Sequence, residues 1–123
     1  MRIWIAVASV LLLLGVGLGA FGAHGLRDRL DEYHLGVYEK GVFYHLIHAL
    51  GLLGVAMFAT QQVDPPRLLA TTCVLLTVGI VLFSGSLYLL AITGTRWLGA
   101  ITPFGGLSFL AAWATLAYAA LRR

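Results

Sequence analysis

Four long apolar runs without a single charged side chain constrain this sequence more than any other feature. They cover residues 3–23, 41–60, 68–92 and 98–121. Each is near or above the roughly 20 residues that a helix needs to cross a bilayer, and one charge at the centre of a span costs roughly 2.5–3.5 kcal/mol. Because the runs are continuous and do not alternate, they indicate helices and not barrel strands. The sequence predicts one all-α domain over residues 1–123, an integral membrane four-helix bundle.

The composition excludes a soluble fold. Hydrophobic residues make up 60% of the chain and charged residues 11%, with a mean hydropathy of +0.93, whereas soluble domains are about 25% charged. A chain of 123 residues has too little interior to hide so much apolar surface from water. The lipid bilayer of the cell (inner or plasma) membrane is therefore the expected partner. The net charge of +3 comes without a basic run, which argues against nucleic-acid binding.

Short connectors predict that consecutive spans are antiparallel neighbours in an up-down bundle. The longest connector, residues 24–40, holds four of the five acids. Within it, four apolar residues recur at spacings of four, three and four: Leu26, Leu30, Tyr33 and Val37. Their helical spacing predicts a short amphipathic helix that lies on the membrane surface between the first and second spans. The alternative is a solvated turn that leads straight into the second span.

The orientation in the membrane is only weakly encoded. One side carries Arg2, Arg67, Arg122 and Arg123, and the other carries Arg27, Arg29, Lys40 and Arg96. The positive-inside rule counts Lys and Arg, so this tie means that the rule hardly favours either orientation. The acids of the first connector neutralise the second side, which slightly favours cytoplasmic termini.

Glycines crowd the end of the first span. Gly15 and Gly19 are four residues apart, and Gly22 continues nearly the same helical face. Small residues let helix backbones approach closely in lipid, so we expect these three glycines to pack against another helix, within the bundle or across a subunit boundary. The alternative is a backbone-lined cleft that admits a lipid or ligand. The first run also resembles a signal peptide, but its packing glycines favour a helix that is retained.

Polar side chains interrupt the apolar runs near one set of span ends. Antiparallel spans bring the end of the first, the start of the second, the end of the third and the start of the fourth to one half of the bilayer. The predicted polar cluster consists of His24, His45, His48, Ser84, Ser86, Tyr88, Thr102 and Pro103. Unpaired polar groups in an apolar medium cost several kcal/mol each. We therefore expect them to bond one another, with His48 contacting Ser84, Tyr88 or Thr102.

No complete catalytic set stands out in this cluster. His45 and His48 lie on one helical face, and with Glu39 they offer two imidazoles and an acid, which do not define a metal site without a further convergent ligand. Neither Ser84 nor Ser86 lies in a Gly-x-Ser-x-Gly elbow, and a serine nucleophile needs a base within reach. We expect no cofactor and leave the metal content open.

Four motifs together resemble one family. They read GAFGAHGL at 19–26, YHLIHAL at 44–50, FSGSLYLL at 83–90 and ITPFGG at 101–106. In this order they cover nearly the whole chain and resemble the DUF 423 family of small four-span bacterial membrane proteins. The resemblance implies a multi-pass membrane protein and no established reaction.

The first hypothesis for the function is a non-enzymatic membrane protein that packs against itself, lipid or another membrane protein. A homo-oligomer and a membrane-protein partner are the candidate assemblies. The alternatives are a membrane-embedded metal or proton-handling site built on His24 and His48, and a small oligomeric transporter.

Overall fold

The computed structural model describes residues 1–122, in which all regular secondary structure is helical. Four helices in this part of the chain are long and apolar enough to cross a membrane: Arg2–Leu26, Glu32–Thr60, Arg67–Thr93 and Arg96–Leu121. The predicted all-α architecture with four spans is therefore confirmed.

The four spans are built from five α-helices and three short segments of different pitch. The α-helices are α1 (Arg2–Phe21), α2 (Glu32–Thr60), α3 (Arg67–Gly79), α4 (Gly85–Thr93) and α5 (Thr102–Leu121). The first span ends in a π-helical turn, Gly22–Leu26, and a second π-helical turn, Ile80–Ser84, joins α3 to α4 in the middle of the third span. A 3-10 helix, Arg96–Ala100, precedes α5 in the fourth span.

Local backbone chemistry sets the ends of the spans. The Asp31 carboxylate caps α2 by accepting a hydrogen bond of 2.7 Å from the His34 amide, as aspartate does at helix N-termini. Pro66 immediately precedes α3, a position where its missing N–H removes no hydrogen bond of the helix. The third span ends at Gly94, whose φ of 71° lies in the left-handed region that glycine adopts without strain.

The predicted surface helix over residues 24–40 is wrong, because these residues do not form a separate helix. The first span continues to Leu26, a turn follows, and α2 then begins at Glu32 and runs unbroken through the second span. The apolar stripe that suggested a surface helix is divided between two spans. Leu26 packs with Tyr38 in a small buried cluster, whereas Tyr33 is exposed. The alternative expectation, a turn leading straight into the second span, describes this connector.

Helix α2 occupies the centre of the bundle. α1 packs along α2, the third span packs along another side of α2, and α5 packs against the third span. The main apolar core includes Leu52 of α2, Leu76 of α3 and Phe109 of α5. Only Ala8 and Gly15 are buried in α1 itself, so α1 is held in place chiefly by its contact with α2.

The π-helical turn Ile80–Ser84 lies at a very close approach of the third and fourth spans. A Cβ atom at Gly105 would overlap the backbone of Phe83, so α5 reaches this position only because residue 105 has no side chain. The ring of Phe109 fills the space next to Gly79 in the same way. This contact fixes the start of α5, where two predicted site residues lie.

Candidate functional site

Tyr38 joins α2 to α1 near the connector between the first two spans. Its hydroxyl donates a hydrogen bond to the carbonyl oxygen of Leu18, and its ring occupies the place that a Cβ atom at Gly22 would need. The residue is fully buried, and buried hydroxyl groups require a partner. Gly22 gives the Tyr38 ring the room to reach the backbone of α1.

His45 repeats this arrangement two turns further along α2. Its Nε2 lies 2.7 Å from the carbonyl oxygen of Leu11, and a Cβ atom at Gly15 would be 3.3 Å from the imidazole ring. Because a carbonyl oxygen can only accept a hydrogen bond, Nε2 is the nitrogen that carries the proton. Gly19, between the two contacts, faces Val42 of α2, and a Cβ atom there would lie 3.2 Å from the Val42 methyl group. The three glycines that were expected to pack against a helix thus all face α2.

The second nitrogen of His45 is bonded from the third span. Nδ1 lies 2.8 Å from the Tyr88 hydroxyl, and since Nε2 holds the proton, Tyr88 is the donor to the neutral ring. The Tyr88 ring also packs against Tyr38, with ring centroids 5.2 Å apart, and it comes close to Gly41, where a Cβ atom would be 2.9 Å away. His45 therefore links three spans and has both ring nitrogens occupied.

The two serines of the third span bond in different directions. Ser84 is fully buried and donates a hydrogen bond of 2.7 Å to the carbonyl oxygen of Gly41 on α2. Ser86 donates to the carbonyl oxygen of Phe83 at 2.9 Å and lies 2.6 Å from the Thr102 hydroxyl, so Thr102 donates to Ser86. Among the described residues, neither hydroxyl bonds to a histidine that would activate it as a nucleophile.

His48 lies in a more apolar environment than His45. Its Nδ1 is 2.8 Å from the Tyr44 carbonyl oxygen of its own helix, and its ring stacks on Phe109 with centroids 3.6 Å apart and an interplanar angle of 11°. The ring forms part of the wall of a groove of about 560 Å³ between α2, the third span and α5, named here the His48 groove. Its other walls include Tyr44, Phe83, Pro103, Leu107, Leu110 and Trp113.

The structure gives His48 other partners than those expected from the sequence. Within residues 1–122, His48 forms no hydrogen bond with Ser84, Tyr88 or Thr102, and it is His45 that bonds Tyr88. The reason is helical geometry, because residues three apart on an α-helix point about 60° away from each other. His45 consequently faces α1 and the third span, while His48 faces α5.

Two further members of the predicted polar cluster, His24 and Pro103, lie in different surroundings. His24 is exposed in the π-helical turn that ends the first span, and it forms no hydrogen bond with the other cluster members in the described part of the chain. Pro103 lines the His48 groove at the start of α5. Over Met1–Arg122, no group of three or more His, Cys, Asp or Glu side chains is placed to hold a metal ion.

Sequence reasoning missed residues that the structure places at these contacts. Tyr38 and Gly41 share the helical face of His45, a stripe that is readable from spacing, but nothing in the sequence names their partners on α1 and the third span. Ser108 donates a hydrogen bond of 2.7 Å to the carbonyl oxygen of Leu75 and ties α5 to α3. Nothing in the sequence distinguishes Phe109 and Trp113 from ordinary core or lipid-facing aromatic residues. In the fold they lie beside His48.

The chain is similar to bacterial membrane proteins over nearly its whole length. It is 45% identical over 122 residues to the UPF0382 membrane protein YwdK of Bacillus subtilis, covering 99% of this chain and 98% of that protein. It is 37% identical over 121 residues to the UPF0382 inner membrane protein YgdD of Escherichia coli K12, covering 98% of this chain and 91% of that protein. No solved structure shows a significant match.

The naming of these relatives as membrane proteins agrees with the four apolar helices of the structure. Residues 18–106 match the family described as "Protein of unknown function (DUF423)". The chain is therefore a multi-pass membrane protein that belongs to the DUF423 family.

Proposed function

We propose that this protein acts without catalysis, by holding a lipid in the His48 groove. The observation that carries the proposal is the groove itself, a recess of about 560 Å³ walled by apolar and aromatic side chains between α2, the third span and α5. Binding sites for small apolar ligands are recesses of this kind, with few polar groups among hydrophobic walls.

The length of the groove supports a lipid chain as the occupant. Its walls on α5 extend from Pro103 to Trp113, which at 1.5 Å per residue is about 15 Å. The hydrocarbon core of a bilayer is about 30 Å thick, so the groove has the length of one leaflet. A lipid chain of that leaflet fits along α5 without leaving the hydrocarbon region.

The state of the polar side chains supports a role without catalysis. Both nitrogens of His45 are bonded within the bundle, and the Ser84 hydroxyl is bonded to a backbone carbonyl. Groups that already hold the helices together are not free to act as a base or a nucleophile. These groups serve the scaffold that shapes the groove.

Photo-crosslinking in vesicles tests this function. The protein is reconstituted in phosphatidylethanolamine and phosphatidylglycerol containing a trace of phosphatidylethanolamine with a diazirine on its acyl chain. Adducts are mapped by peptide mass spectrometry. We expect adducts to concentrate on the groove residues Leu107 and Leu110 relative to Leu13 and Val16, which are exposed on α1.

A matched pair of variants controls for exposure alone. Leu107 in the groove and Leu89 outside it are 61% and 54% exposed. Leu107→Trp fills the groove and should reduce adducts at Leu110 several-fold, whereas Leu89→Trp should leave them unchanged. Equal labelling of all exposed positions would contradict lipid binding. Protection of the whole groove from the probe would instead indicate that a protein covers this face.

A further inference from the structure

The second ring nitrogen of His48 is unpaired within residues 1–122. His48 is only 7% exposed, and its one hydrogen bond joins Nδ1 to the Tyr44 carbonyl oxygen. Nε2 has no hydrogen-bond partner among the described residues, yet it is not one of their fully enclosed side-chain atoms. Because the ring lines the groove, Nε2 is the imidazole nitrogen that a bound molecule would meet there.

The hydrogen bond at Nδ1 fixes what Nε2 can do. The Tyr44 carbonyl oxygen can only accept, so Nδ1 holds the proton. In the neutral ring, the form that apolar walls favour, Nε2 then presents a lone pair. A molecule that satisfies Nε2 must therefore bring a hydrogen-bond donor, and a ketone, ester or ether oxygen cannot do so.

The depth of His48 restricts the donor further. His48 is seven residues beyond Gly41, where the charge-free stretch of the second span begins, which corresponds to about 10 Å along the helix axis. Charged headgroups are too costly at that depth. A neutral hydroxyl on a hydrophobic molecule is the donor that can reach it.

The walls of the groove indicate an aromatic molecule. Tyr44, Phe83, Phe109 and Trp113 all line it. Stacked or edge-to-face contacts between aromatic rings stabilise a complex beyond the burial of the rings. Flat rings gain from such walls, whereas an alkyl chain gains only burial.

We propose that the His48 groove binds a membrane-soluble phenol or quinol, a hydroxylated aromatic ring on an apolar tail, whose hydroxyl donates to His48 Nε2. This inference rests on the proposed function, because it names the class of lipid that the groove selects. No reaction of the ring is involved, and the protein only binds it.

Competition with the diazirine lipid tests the donor. para-Dodecylphenol is compared with its methyl ether, which keeps the ring and tail but lacks the donor, and with dodecanol, which keeps a donor but lacks the ring. One hydrogen bond is worth about 0.5–1.5 kcal/mol. We therefore expect the phenol to displace the probe from the groove at a concentration about two- to twelvefold lower than the ether, and the alcohol to compete less well than the phenol.

The variant His48→Phe keeps a ring that can stack on Phe109 but removes the acceptor, so it should bind the phenol and the ether equally. If that variant does not fold, the comparison of ligands on the unaltered protein still decides the matter. Equal competition by phenol and ether would overturn the donor inference while leaving lipid binding intact. Equal competition by dodecanol and phenol would overturn the aromatic class. Absence of groove labelling before any competitor is added would instead overturn the proposed function.

Discussion

Tyr38 and His45 lie seven residues apart on α2, and they bond carbonyl oxygens of α1 that are also seven residues apart, those of Leu18 and Leu11. Each carbonyl lies four residues before the glycine against which the ring packs. A backbone carbonyl has two lone pairs, so it can serve its own helix and accept a second bond. The repeat sets the register of the two antiparallel helices, because sliding one past the other would break both contacts.

This repeat predicts different outcomes at two glycines of the first span. Gly22→Ala brings a methyl group into steric overlap with the ring of Tyr38, which is fully buried. Overpacking of this kind costs about 1–3 kcal/mol. Gly17→Ala meets nothing within 4 Å and should leave stability unchanged or slightly higher. Unfolding in detergent by SDS titration measures both. Equal stability of the two variants would mean that Tyr38 does not hold α1 in place.

The bond between His45 and Tyr88 should be visible as a coupling energy. A double-mutant cycle uses His45→Leu, Tyr88→Phe and the double variant, with unfolding free energies measured in the same detergent. Hydrogen bonds between spans are worth about 0.6 kcal/mol on average and up to about 1.7 kcal/mol. We expect a favourable coupling in that range. Strict additivity would show that the 2.8 Å contact contributes nothing to stability.

The architecture was predictable from the sequence because it is determined by properties of consecutive residues. Charge-free runs of span length, proline at 66 and glycine at 94 act locally, so the four spans and most of their ends follow from them. The connector was harder to predict. The stripe from Leu26 to Val37 has the same helical period whether it lies on a membrane or is divided between two spans. In the structure it is divided by a turn that ends at the Asp31 cap.

The partners within the site were not predictable, because they depend on how helices rotate about their axes. Topology places His45 and His48 in the same half of the bundle, but a rotation of about 60° between them sends one to Tyr88 and the other to Phe109. The π-helical turn Ile80–Ser84 adds a local shift of register in the third span. No periodic pattern in the sequence predicts that shift of register.

Ser84→Ala tests the link between the second and third spans. Ser84 is buried and donates to the Gly41 carbonyl on another helix, so its loss should destabilise the protein by about 0.5–1.5 kcal/mol. Ser9→Ala is the matched control, since Ser9 is exposed and donates to the Ile5 carbonyl oxygen of its own helix. It should be near neutral in the same unfolding assay. A larger effect at Ser9 than at Ser84 would contradict the assigned contact.

The orientation of the protein stays a prediction from charge. With four spans both chain ends lie on the same side, and the acids between the first two spans favour the outer side for that connector. A reporter that works only in the cytoplasm should therefore be active when it is fused to the C-terminus. A reporter that works only outside the cytoplasm should be active when it is fused at Arg29. The reverse pattern would place the His48 groove nearer to the cytoplasmic face.

The cap of α2 should make the first connector sensitive to acid. Hydrogen bonds from the backbone and ring of His34 lower the pKa of the Asp31 carboxyl below its ordinary value of 3.8. A lowered native pKa means that the cap is fully effective above about pH 4 and is lost as the pH falls through that lower native value.

Amide hydrogen exchange measures this loss directly, because the His34 N–H is the bonded donor. Its protection should fall between about pH 4 and about pH 2 in the unaltered protein. In Asp31→Asn, whose amide oxygen still caps the helix but does not titrate, protection should stay constant over that range. Constant protection in both proteins would show that the carboxylate does not hold the start of α2.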